Sequence, residues 1–503
     1  MEQIELIKKS GTKINLFSKE PFCTVSSAVQ NITLMGDDNV QLGIRSSRVL
    51  DFDIGDKIII GGDEYSIRTK NTREILSEGK YNYDTVFYGV MYELMKSLYR
   101  DTDANGKSSK STFDLTYNLK DMIKVLIYNV NRDYPGLWIF DEASCPDTEP
   151  MTMQFSKQNC LQVLQLTCKE TGYEFRIDQN SGKRIIRIGK FGSVVTPPSN
   201  AQFFEWGKGK GLYQLREGKV DDKSIITRLW VEGGTNNLRS GYRGYSDRLQ
   251  LPYPKRRNKR EHKLLDGTII PANSEMIGIE NDRYIEDSVL KSQIGSIEDV
   301  ETYDKIFPHR TGIVSALGPD IYSFIDNTMN FDLNEKDANG TKYLIDGVSA
   351  KLTFVTGKLA GQQFELKKDK GYDHSKKMFS VIKYTDERGT SFPSTAFNIS
   401  VGDKYKITDI NLPDSYVEDA EEDLWYAGYD DFKGRKQARA QYSLTLDRSY
   451  LIDNLPSDAD VSVFKCGDYV PIKDERFGIE KNIRIQKISR NLLLDYDYSL
   501  TLS

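Results

Sequence analysis

The sequence predicts a mainly β, multidomain fold in which two related β-barrels carry α+β insertions, and three observations lead there. A nine-residue phrase occurs three times, as FDIGDKIII at Phe52–Ile60, ISVGDKYKI at Ile399–Ile407 and FKCGDYVPI at Phe464–Ile472. In each copy a Gly-Asp pair (Gly55 and Asp56, Gly402 and Asp403, Gly467 and Asp468) precedes period-two alternation that ends on Ile. Glycine permits the positive φ of a tight reversal, and the Asp carboxylate can accept a nearby backbone N–H. Alternation marks a strand with one buried face. Second, the strings YNYDTVFYG (Tyr81–Gly89) and DYDYSLTLS (Asp495–Ser503) read as strands with one wet and one dry side. Third, the first and third phrases share a sequel, an Ile-Arg strand followed by Tyr-x-Tyr alternation. The repeat is therefore barrel against barrel.

In chain order, residues 1–100 hold five or six short alternating runs closed by a short helix, VMYELMKSLY, and form the first barrel. In 101–200 the period changes. Leu119, Met122, Ile123, Leu126, Ile127 and Val130 share one helical face, as do Cys160, Leu161, Leu164 and Thr167 or Cys168. The hairpin YEFRID, QNSGK, RIIRIGK follows, so this segment is α+β. The second barrel is expected to be discontinuous, its opening strands in 201–235, including SIITRLWVEGG, and its closing strands in 441–503. Between them, 236–340 reads as an inserted irregular or β region, and 341–440 as a β unit followed by a long helix. That helix, Ser415–Ala440, is acidic in its first half and basic in its second, which suits the helix macrodipole.

Bulk properties exclude several classes. At 503 residues the chain has room for roughly three or four domains of about 100–200 residues. A formal charge of -5 argues against a protein whose main task is gripping phosphates. Five cysteines with no CxxC spacing argue against a disulfide framework and fit assembly in a reducing cytoplasm. The N-terminus lacks a signal-peptide core and no window approaches about 18 apolar residues, so neither export by this N-terminus nor a membrane-spanning helix is expected.

Chemistry-bearing motifs are weak. His262, His309 and His374 stand in unrelated contexts without HExxH or HxH spacing. DTDANGKSS at Asp101 imitates a calcium loop but places Thr112 where a carboxylate is needed; a second DANG at Asp337–Gly340 reads, like the first, as an Asn-Gly turn. GKGKG at Gly207 lacks the ending of a phosphate loop. The run KRRNKREHK, Lys255–Lys263, could meet DNA or an acidic partner, or be a solvated loop. Trp425 and Tyr426 could stack on a glycan or pack the long helix. No catalytic, cofactor or metal residue is singled out. The only site residues are the structural turns Gly55, Asp56, Gly402, Asp403, Gly467 and Asp468.

Taken in order, FDIGDKIIIGGDEYSIR, YNYDTVFYG, SIITRLWVEGG, YDKIFPHRTGIVSAL, AKLTFVTGKLAGQQFEL and the ending GDYVPI…RIQKI…YDYSLTLS resemble tail-tip or baseplate hub proteins of tailed bacteriophages, of the tail-associated family in Bacteroides-type phages and prophages. The resemblance implies a structural virion protein rather than an enzyme. It implies a homotrimer at the distal end of the tail tube, each subunit carrying two tube-type barrels. Its partners would be the distal tail protein, tail-tube proteins, tape-measure protein and tail fibre or spike proteins. DNA would pass only transiently through the lumen, which is expected to be lined mainly by Asp and Glu. Localisation would be the virion tail tip, after assembly in the host cytoplasm. Because the chain ends on a barrel strand, no C-terminal lysin or fibre extension is expected. The alternatives are a tail-associated cell-wall or polysaccharide hydrolase and a host-glycan-binding module.

Overall fold

The computed structural model describes residues 4–20, 22–69, 72–77, 79–103, 105–107, 110–148, 150–199, 201–218, 225–264, 267–337, 340–368, 370–385, 391–436, 441–455 and 463–503. The molecule is mainly β, and one 14-stranded sheet runs through both barrels. The first barrel contributes β1 (Glu5–Ile7), β2 (Lys13–Asn15), β3 (Cys23–Thr33), β4 (Asp38–Ser46), β5 (Lys57–Ile60), β6 (Asp63–Ile67), β7 (Thr72–Ser77) and β8 (Lys80–Gly89). The expected short helix is a single 3-10 element at Val90–Lys96. Alternation works as read: Val40, Leu42 and Ile44 of β4 and Tyr83 and Phe87 of β8 point into a core with Phe52, Ile58 and Ile67.

An α+β unit follows. Its helices are α1 (Leu119–Val130) and α2 (Cys160–Thr171), and its strands are β9 (Thr112–Tyr117), β10 (Trp138–Phe140), β11 (Met151–Ser156), β12 (Glu174–Asn180) and β13 (Lys183–Gly189). Asn118 and Asn159 cap the helices with their side chains, and Gln162 completes a capping box on the second. Both helices bury their apolar faces in one core with Phe155, Phe175 and Ile186.

The second barrel is closed. It comprises β14 (Phe204–Trp206), β15 (Gly211–Glu217), then β16 (Tyr442–Leu446), β17 (Tyr469–Asp474), β18 (Ile479–Asn491) and β19 (Tyr498–Leu502), with β18 pairing both β17 and β19 to complete the circuit. Its topology repeats the first barrel. The order β3-β4-β8-β6-β5 matches β15-β16-β19-β18-β17. A bulge lies at Val25/Ser27 between β3 and β4, and at the matching Leu212/Gln214 between β15 and β16. The β3–β4 hairpin turns within Leu34–Asp37, whereas its counterpart has opened to admit everything between Gly218 and Gln441. The base of that hairpin stays closed, Gly218 N–H donating to Gln441 O at 2.7 Å.

The inserted material sorts differently from the sequence reading. Arg228–Gly233, expected in the second barrel, instead pairs with Tyr284–Glu286 and Glu298–Tyr303 in a separate four-stranded sheet. Helix α3 (Asp414–Arg435) covers one face of that sheet, burying Leu424, Trp425 and Phe432 against Leu229, Val231 and Ile285. The residues between, 311–412, form two four-stranded sheets around Phe324, Phe354, Phe379 and Tyr405. The division expected at 340/341 therefore cuts through this second unit, and the helix belongs to the first. Alternation shows which side of a strand is buried, not which sheet it joins.

Candidate assembly interface

The three Gly-Asp turns have one geometry. Gly55, Gly402 and Gly467 have φ of 96°, 93° and 92°. In each, one residue in or just after a neighbouring strand exchanges both backbone groups with the turn: Ile67, Val314 and Ile485 accept from the glycine N–H and donate to the aspartate carbonyl. The aspartate N–H also closes the turn onto Asp53, Ser400 or Lys465. All three aspartates are buried. In the first and third copies the clamped residue lies on the following hairpin strand. In the second it follows Thr311–Ile313, earlier in the chain, so that copy shares the turn but not the barrel topology.

What faces each carboxylate differs. Burial pushes Asp56 up, but the Lys8 ammonium and the backbone N–H groups of Asp53 and Lys9 outweigh it, and the carboxyl lies below the ordinary range. Asp403 has only the Ser400 N–H against its burial and lies above it. Asp468 accepts from the N–H of Ser193 at 3.0 Å, which ties the linker after β13 to the second barrel.

The barrels meet along β3 and β18, where Val29–Thr33 pair antiparallel with Asn491–Lys487. The Cys466 thiol donates to Ile32 O across this seam. The α+β unit braces both sides of it. Arg484 on β18 makes a bidentate pair with Glu174 (2.5 and 2.6 Å) and donates to Gly467 O and Phe191 O. Arg176 donates to Cys466 O at 2.8 Å. On the first barrel, Gln179 exchanges bonds with the Glu64 backbone while Arg184 pairs with Glu64 and Glu93. A cavity of about 390 Å³ lies at this three-way junction, bordered by Gln30, Asp38, Tyr65, Cys466 and Arg490. Burial lifts the Asp38 carboxyl to about 6, the Tyr65 hydroxyl lowering it and Asp63 raising it further.

Because of the seam, one antiparallel path of eight strands crosses the molecule, β7-β8-β4-β3-β18-β19-β16-β15. Both of its ends are open. Among the described residues β7 pairs β8 alone, and beyond Leu212 the outer edge of β15 carries no strand.

The tempting motifs resolve structurally. The basic run lies along the acidic half of α3: Arg256 pairs with Glu421, Lys259 with Asp419, and Arg260 with Asp423. His262 contacts the fully buried Glu422 at 2.8 Å. Part of the run's charge is thus taken up by the helix, while Lys255, Arg257, Lys259, Arg260 and Lys263 stay exposed. Trp425 is 0% exposed and donates to Ile277 O, so it offers no stacking surface. Asp101 and Asp103 accept backbone N–H groups of their own turn, as Asp337 does from Thr341. Asn339 lies outside the described residues. His309 and His374 are bonded to Phe307 O and the Tyr372 hydroxyl in separate places. Sequence reasoning missed the brace residues Glu174, Arg176 and Arg484 and the open strand edges, because neither leaves a local pattern.

No protein-family model matches the sequence, and no curated protein does. Solved structures do resemble it. A prophage tail protein of Listeria monocytogenes is 8% identical over 100% of this chain and 94% of its own, with a TM-score of 0.45. The 43 kDa tail protein of prophage MuSo2 from Shewanella oneidensis is 9% identical over 100% and 97%, with a TM-score of 0.47. A tail protein of Neisseria meningitidis is 7% identical over 99% and 95%, with a TM-score of 0.43. Function is therefore read from the chain's own geometry, and these tail proteins stand as structures that it resembles.

Proposed function

We propose that this protein is a structural, non-enzymatic hub of a phage tail: a homotrimer that closes the distal end of the tail tube, with DNA passing through its centre. The observation that carries the reading is the eight-strand path with two like-built halves and two open ends. The chain already joins one barrel to its equivalent through a shared sheet, so repeating the join between copies gives six barrels from three chains. A heterologous contact of this kind must close into a ring or run on as a filament. Three copies supply 24 strands, which at about 4.8 Å each give a circumference of about 115 Å and a backbone diameter of about 37 Å, more with strand tilt. The barrel bodies need more room than the sheet, so they stand outside and the sheet lines the opening.

On this reading the solvent face of that sheet lines the lumen, and it differs from the acidic lining expected from the resemblance. Across the paired positions from β7 to β15 its charges are Glu74 and Asp84 against Arg45, Arg216 and Lys487, amid Asn31, Ser489, Ser499 and Thr445. The lining is hydroxyl- and amide-rich rather than acidic. Such a face holds a polyanion poorly because it offers few phosphate contacts, not because it repels phosphate. The two inserted units leave the barrel through one hairpin and serve as arms for fibre or spike proteins. Negative-stain class averages of the purified protein test the reading. A six-lobed ring with an open centre supports it; compact particles without a hole overturn it.

A further inference from the structure

The matching of the two barrels fixes more than the number of copies. Register relates Thr445 to Gly43 and Ser499 to Asp84, hence Tyr498 to Tyr83, and along the neighbouring strand Arg490 to Arg73 and Asn491 to Glu74. On the other side Arg216 corresponds to Val29 and Glu217 to Gln30, counted from the shared bulge. Within the chain, Val29 pairs with Asn491 and Gln30 with Arg490.

We infer that β15 of one copy adds to β7 of the next in this same register, with Arg216 opposite Glu74 and Glu217 opposite Arg73. The occupant of each open edge is thus a second copy of this chain. The internal seam uses uncharged Val29 and Asn491 at the first of these positions. The external one places an exposed arginine, Arg216, against an exposed glutamate, Glu74. Opposite charges directly across an antiparallel pair stabilise it, and like charges destabilise it. The swap in chemistry also explains specificity: an edge built for its own chain's partner would not attract the wrong end of the path. Because Gly218 closes the hairpin from which the inserted units grow, the three arms leave the ring at the seams between copies rather than at the seams within them.

This inference rests on the trimeric hub reading, and a charge swap separates the two. Arg216→Glu and Glu74→Arg singly are each expected to raise the trimer dissociation constant by about tenfold or more, through like charges facing at three seams. The double variant Arg216→Glu/Glu74→Arg restores the wild-type value. Both positions are exposed, so the single variants keep the wild-type circular dichroism spectrum. A second readout is the Arg216→Cys/Glu74→Cys variant, which on oxidation gives disulfide-linked trimers on a non-reducing gel. A wild-type protein that stays monomeric overturns the hub reading and this seam with it. A wild-type trimer that is indifferent to both single variants and yields no cross-link overturns the seam alone.

Discussion

Replacing each clamp glycine by alanine separates backbone strain from crowding. At Gly402 an added methyl meets no atom within 4 Å, so the cost is that of a non-glycine residue at positive φ, about 1–2 kcal/mol. At Gly55 the methyl lies 2.7 Å from Lys9 Cε, the far end of a flexible side chain that swings aside, and the cost stays in the same range of about 1–2 kcal/mol. Gly467 is different. Its methyl falls 3.2 Å from the Nη2 atoms of both Arg176 and Arg484. Those guanidiniums are held by Glu174, Phe191 O and Cys466 O, and giving way sacrifices charge-assisted bonds worth about 1.5–3 kcal/mol. Gly467→Ala should therefore cost about 3–5 kcal/mol. Hydrogen exchange reads this locally through the amides of Val314, Ile67 and Ile485, each of which donates to the aspartate carbonyl of its clamp. Protection should fall about tenfold at Val314 and Ile67 in their own variants, and a hundredfold or more at Ile485 in Gly467→Ala, since about 1.4 kcal/mol is a factor of ten. Equal losses at all three, or the largest at Val314, would refute the reasoning.

Lys8→Ala leaves the buried Asp56 carboxylate without its cation and should destabilise the first barrel by about 3 kcal/mol, read as lost protection at Ile67. Because the Asp56 carboxyl lies below its ordinary range in the folded chain, its contribution is present above the usual carboxylate pKa and is lost as pH falls through the folded value; the protection factor of Ile67, taken against the intrinsic exchange rate at each pH, should fall in acid, and Asp56→Asn should abolish that dependence. Asp38 has the opposite sign. With a folded pKa of about 6 it favours the protonated form, so the three-way junction gains stability as pH falls from about 7 towards 4, by at most about 3 kcal/mol, and Asp38→Asn should flatten the profile while stabilising the junction at pH 7.5. Glu421→Lys removes the carboxylate that receives Arg243, Arg256 and Tyr242, and trypsin should then cut within Lys255–Lys263 faster than in the wild type. Trp425→Ala should cost the first inserted unit about 3–5 kcal/mol, with accelerated exchange in α3 and none in β16–β19.

Much of this architecture is written in local pattern. The three clamps, both helices of the α+β unit, the β12–β13 hairpin and the alternation of β4 and β8 follow from residue spacing alone. What escaped is set by partners far away in the chain. Arg228–Gly233 alternates as well as any barrel strand, yet its neighbours are Tyr284–Glu286 and Glu298–Tyr303. The second phrase has the same turn as the others, but its clamped residue precedes it. The basic run and the acid-rich start of α3 were each legible, and their pairing across about 160 residues was not. The seam of Val29–Thr33 on Asn491–Lys487 joins the two ends of the chain, and it became visible only when the sheet could be followed from one barrel into the other.

The central claim is that the eight-strand path closes between copies, and the molar mass in solution tests it most directly. Light scattering on the purified chain at tens of micromolar should give about three times 57.5 kDa, with the β7 and β15 amides protected from exchange. A mass of one chain, with those two edges exchanging as free strands, would contradict it.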